Sequence, residues 1–356
     1  MNHIGEKSYK PSEFSVYKSA IDFSKVDVWH VFSRKLPCQI ALICHDKSRT
    51  VEEISAETGT PTVYIEDELN LLIDAGVIIK PIKNKYRTNF SILKKDEVEQ
   101  IKKEFLNFYK LYIPYVVSVY NKYLNEIKKS GLFKFEASNN QIAWYYALHI
   151  SAFDTIDYNF TANDYPQILS CGSRAFIFAE ESSGSEMAAG RTPTFLDNCT
   201  VYPCDVVAFG KIRCQLELRD KKKAQALYDI YIGHLNEEDR EIYSELISQG
   251  YALKKDKKLY CNVAVSNKTN RELFNTINNE LLSILKPMCF DIRKNITKIV
   301  GLSVPEHLSS YIKGFTETWI AFYSGVYLKE ELLRTGFILI PDFDDNTPLA
   351  CEIYEN

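Results

Sequence analysis

The chain has 356 residues, with 25% charged and 46% hydrophobic, and it is rich in aromatics, with 23 Tyr and 20 Phe. That length is enough for two domains or two fused lobes, and no run approaches the roughly 18 apolar residues of a membrane span. The net charge of −4 is not the overall positive charge of a nucleic-acid binder, so any contact with DNA must come from local basic patches.

Met1 to Lys10 is polar and lacks the apolar stretch of a secretory signal. The nine cysteines are scattered without tight pairs, which fits free thiols in a reducing compartment better than a disulfide framework. A cytoplasmic location is expected. Pro37 to Asp46 reads as a helix, with Ile40, Ala41, Ile43 and Cys44 as its buried stripe. Thr50 then caps a short helix, and Glu53 completes a capping box. Gly59 breaks the chain, Thr60 suits an N-cap and Pro61 the first helical position. Ile65, Leu69, Leu72 and Ile73 form one apolar helical face, and Gly76 sits where a left-handed C-terminal residue belongs. Two strands are predicted next, Val77 to Ile82 and Tyr86 to Leu93, turning around Lys83-Asn84.

Helix, short helix, turn, longer helix and hairpin is the order of a winged helix. The strings TPTVYIEDELNLLIDAGVI (Thr60–Ile78) and KYRTNF (Lys85–Phe90) resemble the arsenic-repressor (ArsR-like) and related winged-helix transcriptional regulators. More narrowly, they resemble winged-helix sensor proteins of anaerobic Gram-positive bacteria. The resemblance covers about residues 25–95. It implies that the helix Thr60–Ala75 lies in the major groove, that Thr60, Thr62, Val63 and Asn70 contact DNA, and that Lys83, Lys85 and Arg87 of the hairpin touch the backbone or minor groove. Thr62, Val63, Glu66, Asp67 and Asn70 are expected to face outward. Two departures matter. The close cysteine pair of the arsenic repressors is absent from this helix, so no metal is expected there. Between Val51 and Ile79 there are seven carboxylates and no Lys or Arg, so phosphate contact falls to the hairpin, or else the module only contacts protein.

Lys94 to Lys129 reads as a long helix that Pro114 should kink. Asn140 to Tyr158, with Trp144, Tyr145 and His149, reads as another, followed by a strand-like Arg174 to Glu180. Glu181 to Thr192 has linker composition, and Cys204 to Leu218 alternates like strands. Cys199, Cys204 and Cys214, with Asp197 and Asp205, match no zinc spacing. Beyond them the first segment is echoed. Leu246 to Gly250 repeats Leu72 to Gly76, and Asn262 and Pro287 fall 173 positions after Asn89 and Pro114. Asn236 can cap a helix running to Gln249, but no separate short helix is expected before it. Long helices follow at Asn270–Thr297 and Ser309–Leu328, the latter carrying Phe315, Trp319, Phe322 and Tyr323, and Leu349 to Glu355 is strand-like. Basic tracts lie at Lys221–Lys223 and Lys254–Lys258.

The expected fold is therefore α+β and mostly helical, with two related lobes, each holding a winged-helix-like unit, the second degenerate. The segments are 1–95 (winged helix), 96–181 (long helices) and 182–356 (second lobe). No phosphate loop, nucleophile elbow or His-Glu metal motif is present, so neither catalysis nor a cofactor is expected, and His149 reads as a core histidine. The aromatic helices suggest a pocket for a small-molecule effector, with Trp144, Tyr145, His149, Phe315, Trp319, Phe322 and Tyr323 as its candidate residues. The function expected is a transcriptional regulator that binds double-stranded DNA and senses a small molecule. The alternative is a ligand-sensing or protein-interaction module that does not bind DNA. The long helices are consistent with a homodimer, with an intramolecular pseudo-dimer, or with each being simply a core helix of its own lobe.

Overall fold

The computed structural model describes residues 15–19, 28–150, 176–181, 187–191, 193–208, 211–213, 216–340 and 351–355. It is an α+β chain, mostly helical, with small sheets. The elements begin with β1 (Ser15–Ser19), α1 (Val28–Phe32), α2 (Lys35–Ile43), α3 (Val51–Thr58), α4 (Thr62–Asp74), β2 (Ile78–Ile82), β3 (Lys85–Thr88) and β4 (Ser91–Leu93). Next come α5 (Lys95–Lys129), α6 (Asn139–His149), β5 (Phe176–Glu180), β6 (Met187–Arg191), β7 (Thr194–Phe195), β8 (Cys199–Tyr202), β9 (Cys204–Ala208) and β10 (Lys211–Arg213). The remainder is α7 (Lys221–Ile232), α8 (Arg240–Ser248), β11 (Ala252–Lys255), β12 (Lys258–Cys261), β13 (Ala264–Ser266), α9 (Lys268–Ser303), α10 (Ile312–Arg334) and β14 (Glu352–Glu355). No described helix is long and apolar enough to cross a membrane.

Two compact units divide the chain. The first comprises Met1–Glu104, Asp157–Gly184 and Asp291–Ala321; the second comprises Phe105–Ile156, Ser185–Phe290 and Phe322–Asn356. This division differs from the segments 1–95, 96–181 and 182–356, because α5, α9 and α10 each give residues to both units.

In the first unit, α1 to α4 and the strands after them enclose one apolar core, with Ile40, Ile54, Ile65, Leu69, Leu72 and Phe90 at its centre. The Thr50 side chain accepts from the Glu53 backbone N–H, and the Glu53 carboxylate accepts from the Thr50 N–H, so the capping box is complete. Gly59 closes α3 in the left-handed region at φ 67°. The next helix begins at Thr62 with Pro61 as N-cap rather than Thr60. Thr60 serves the turn instead, its carbonyl accepting from Ser55 Oγ at 2.7 Å. The expected strand Tyr86–Leu93 is two strands. β3 pairs antiparallel with β2, while β4 runs parallel to β5, with Ser91 opposite Phe178. Asn89 sits between them, its N–H donating to Val77 O and its side-chain amide to Gly76 O. β5 is the central strand of the order β1-β5-β4.

The second unit shows the same local contacts. Gly250 takes φ 81°, against 73° at Gly76. The Tyr251 N–H donates to Leu246 O as the Val77 N–H does to Leu72 O, and Asn262 donates to Tyr251 O and Gly250 O. β11 and β12 form the hairpin, and β13 leaves it to run parallel to β14, the strand between β13 and β8. One expectation is corrected here: a separate helix does precede α8. It is α7, whose N-cap Asp220 accepts from the Lys222 and Lys223 N–H groups and whose end is Gly233 at φ 76°. Its apolar stripe, Ala224, Leu227 and Ile230, lies in the second core. The Glu181–Thr192 stretch is also not simply a linker, since β6 within it pairs with β9.

Candidate nucleic-acid interface

Burial of Ile65, Leu69 and Leu72 turns the opposite face of α4 to solvent. Thr62, Val63, Glu66, Asp67 and Asn70 are all exposed, as the periodicity predicts, and Tyr64 joins them. Val63 is 56% and Tyr64 59% accessible. Thr60 is half-buried in the turn before the helix. The acidic side chains stay at the surface, since Glu52, Glu53 and Glu57 on α3 and Glu66 and Asp67 on α4 are all exposed. Glu68 is engaged by Arg34 in a two-pronged pair, one arm at 2.9 Å, and Glu57 pairs with Arg49 at 3.0 Å.

The hairpin supplies the opposite charge. Asn84 adopts φ 62° at its tip, which places Lys83 and Lys85 in solvent. Lys80 lies over the Tyr86 ring at 5.2 Å. Thr88 anchors the hairpin, its hydroxyl donating to Ala41 O at 2.6 Å and its N–H to Cys44 O. Arg87 is placed differently from the two lysines. It is half-buried, and its Nε is enclosed without a hydrogen-bonding partner. His45 and His307 belong to the same unit. His45 is buried, Nε2 accepting from the Ile92 N–H at 3.2 Å, and burial pushes its pKa below the ordinary range. Burial, aided by the charges of Arg87 and His45, pushes His307 down to about 4.

The second unit repeats the distribution. Glu237, Glu238, Glu241 and Glu245, on and just before α8, are exposed. The tip of the second hairpin has positive φ at Asp256 and Lys257, and Lys254, Lys255, Lys257 and Lys258 are all exposed. Among the described residues no carboxylate pairs with these four, whereas the Lys221–Lys223 tract is partly neutralised by Lys222–Asp239 at 3.5 Å and Lys223–Glu245 at 2.7 Å.

The aromatic positions expected to bind an effector are distributed over both units. In the second unit Trp144 is fully buried and its Nε1 donates to Leu339 O at 2.8 Å. Tyr145 donates to Glu352 Oε1 at 3.1 Å, and His149 Nε2 lies 3.1 Å from Glu352 Oε2 with its ring stacked on Tyr145. Tyr323 is buried against Tyr327. The side chain of Phe322 lies outside the described residues. Phe315 and Trp319 are buried in the first unit, Trp319 against Phe178. The predicted continuation of the Trp144 helix over 151–158 also lies outside the described residues.

Residue patterns did not single out an open groove in the second unit. It is formed by the segment between α5 and α6 and the β11–β12 hairpin. One hollow of about 290 Å³ lies among Lys134, Phe135, Leu253 and Tyr260. Two more, of about 330 and 430 Å³, share Phe135 and Glu136 with it. Trp144, Tyr145, His149 and Tyr323 line none of the three. The alternation Phe133-Lys134-Phe135-Glu136 was the available signal, since a period of two sends side chains to opposite sides of an extended segment.

Comparison with protein-family models, curated proteins and solved structures finds no match for this chain.

Proposed function

We propose that the chain is a DNA-binding transcriptional regulator built from two copies of one winged-helix unit, held on the phosphate backbone mainly by its hairpins. The observation that carries the reading is the pair of hairpin tips. Each presents exposed lysines that pair with no carboxylate among the described residues, Lys83 and Lys85 in one and Lys254, Lys255, Lys257 and Lys258 in the other. Several features support a shared unit: the αL glycines Gly59 and Gly233, the bonds made by Asn89 and Asn262, and the parallel strand after each hairpin. In a winged helix α4 would enter the major groove, and Thr62, Val63 and Asn70 would meet base edges. Glu66 and Asp67 on that face repel phosphate, so affinity must come from the wing.

The test is the salt dependence of binding to duplex DNA from the protein's own upstream region. Lys83→Ala with Lys85→Ala should flatten the slope of log K against log salt by about two units, near 0.9 for each lost phosphate contact. Arg87→Ala should add little to that slope, because Arg87 is half-buried. An unchanged slope in the double variant would end this reading.

A second reading rests on a different observation: Val63, Tyr64 and Ile82 are each more than half accessible on the same unit. An apolar and acidic face of that kind suits a protein partner. On this reading Tyr64→Ala abolishes partner capture and leaves DNA affinity unchanged.

A further inference from the structure

The three hollows of the second unit share Phe135 and Glu136 and are partly open to solvent. A small molecule is normally held in a cavity that buries most of its surface, and this groove is too open for that. It suits a polymer lying along it. Aromatic surface is available, with Phe133 and Phe135 half-buried and Tyr260 36% accessible, and Leu253 adds aliphatic surface at 41%. The surrounding charge is mainly positive. Lys128, Lys134 and Lys255 line the hollows beside two carboxylates, Glu136 and Asp256, and Lys254, Lys257 and Lys258 are exposed on the same hairpin. Rings on which flat groups can stack, bordered by an excess of cations, are how proteins hold single-stranded nucleic acid. An acidic peptide would use the lysines but gain little from the rings.

We propose that this groove binds a single strand of nucleic acid, with bases stacked on Tyr260 and Phe135 and phosphates held by the second hairpin. The site is separate from the duplex contact argued above. It shares the lysines of the second hairpin with that contact, but the ring surface and the single-stranded ligand are its own, so the Tyr260 and abasic-strand arms can fail while duplex binding stands, and the reverse.

The experiment measures fluorescence anisotropy of a labelled thymidine oligonucleotide of about twelve nucleotides, using the full chain with Lys83→Ala and Lys85→Ala to remove the first hairpin. Binding should weaken with salt. Replacing Lys254, Lys255, Lys257 and Lys258 with Ala should lower the slope by about three units, at roughly 0.7 per contact on a single strand. Tyr260→Ala should weaken binding about ten-fold with the slope unchanged, while Tyr260→Phe, which keeps the stacking ring, retains affinity. An abasic strand of equal length should bind like the Tyr260→Ala variant binds thymidine. Three results would overturn the proposal: no binding, equal affinity for the abasic strand, or a polyglutamate peptide binding as tightly as the oligonucleotide. The last would reassign the groove to acidic peptides. Tyr260 lies on the hairpin surface, and circular dichroism of each variant separates lost binding from lost fold.

Discussion

His307 has both ring nitrogens enclosed without a hydrogen-bonding partner. Burial, with Arg87 and His45 adding to it, lowers its pKa from the ordinary 6.5 to about 4. Between those values the unfolded chain takes up a proton that the folded chain refuses, so stability rises with pH across that window and is lost as pH falls through it. The urea midpoint should therefore drop as pH is lowered from about 6.5 to about 4, and His307→Gln should flatten that drop. His45, shifted the same way by burial, leaves part of the slope behind. A midpoint with the same pH dependence in wild type and His307→Gln would count against this account. Glu352 is the opposite case, a buried carboxylate that accepts from Tyr145 and pairs with His149. Glu352→Ala strands both partners and should cost about 3 kcal/mol in chemical denaturation, whereas Glu352→Gln, which keeps the shape and one acceptor oxygen, should cost less. None of this could be read from the sequence. Aromatic residues at helical spacing look alike whether they line a pocket or fill a core, and the partner of His149 lies 203 positions away.

Local elements were the legible part. The Thr50–Glu53 box, the glycine breaks at Gly59 and Gly76, and the turn at Asn84 depend on neighbours within a few residues, so composition alone marks them. Among the elements that escaped, two show the physical reason. α7 was hidden because three consecutive lysines fill its first turn, and Asp220, which caps them, is an unremarkable loop aspartate until the helix is seen. The end of β3 was hidden because β4 departs for β5, a partner far along the chain. The exposed face of α4 was predicted correctly, since periodicity alone decides which side is buried, but the half-burial of Arg87 depends on the packing beneath the hairpin. The two helix-ending glycines, Gly59 and Gly233, offer a clean measurement. A Cβ at either would meet nothing within 4 Å, so Gly→Ala carries only the backbone cost of the left-handed region, about 1 kcal/mol. Both substitutions should lower stability by nearly the same amount, and replacement by Asn should cost less at each. A cost of several kcal/mol at one site and none at the other would separate the two helix ends physically.

Among the described sheets, two are completed from a distance. Ser91 faces Phe178, and Ala264 faces Glu352, both pairs running parallel. Removing residues 352–356 takes out β14 from between β13 and β8, together with the Glu352 and Glu355 carboxylates that accept from Tyr145 and Tyr231. Amides of β8 and β13 should then lose hydrogen-exchange protection while those of β4 and β5 keep theirs; equal loss in both sheets would contradict this assignment of strands to separate units. Parallel pairing over so long an interval also bears on how the chain is made. A ribosome adds roughly 5–20 residues each second, so the edge of β4 waits on the order of ten seconds before β5 leaves the exit tunnel, and β13 waits as long for β14. Through that interval Ile92 and Leu93, and later Val265, belong to nascent strands whose backbone is already made and whose neighbour is not. Such edges recruit any strand within reach, so the rate of synthesis, more than native stability, should set how much of this protein is recovered in folded form.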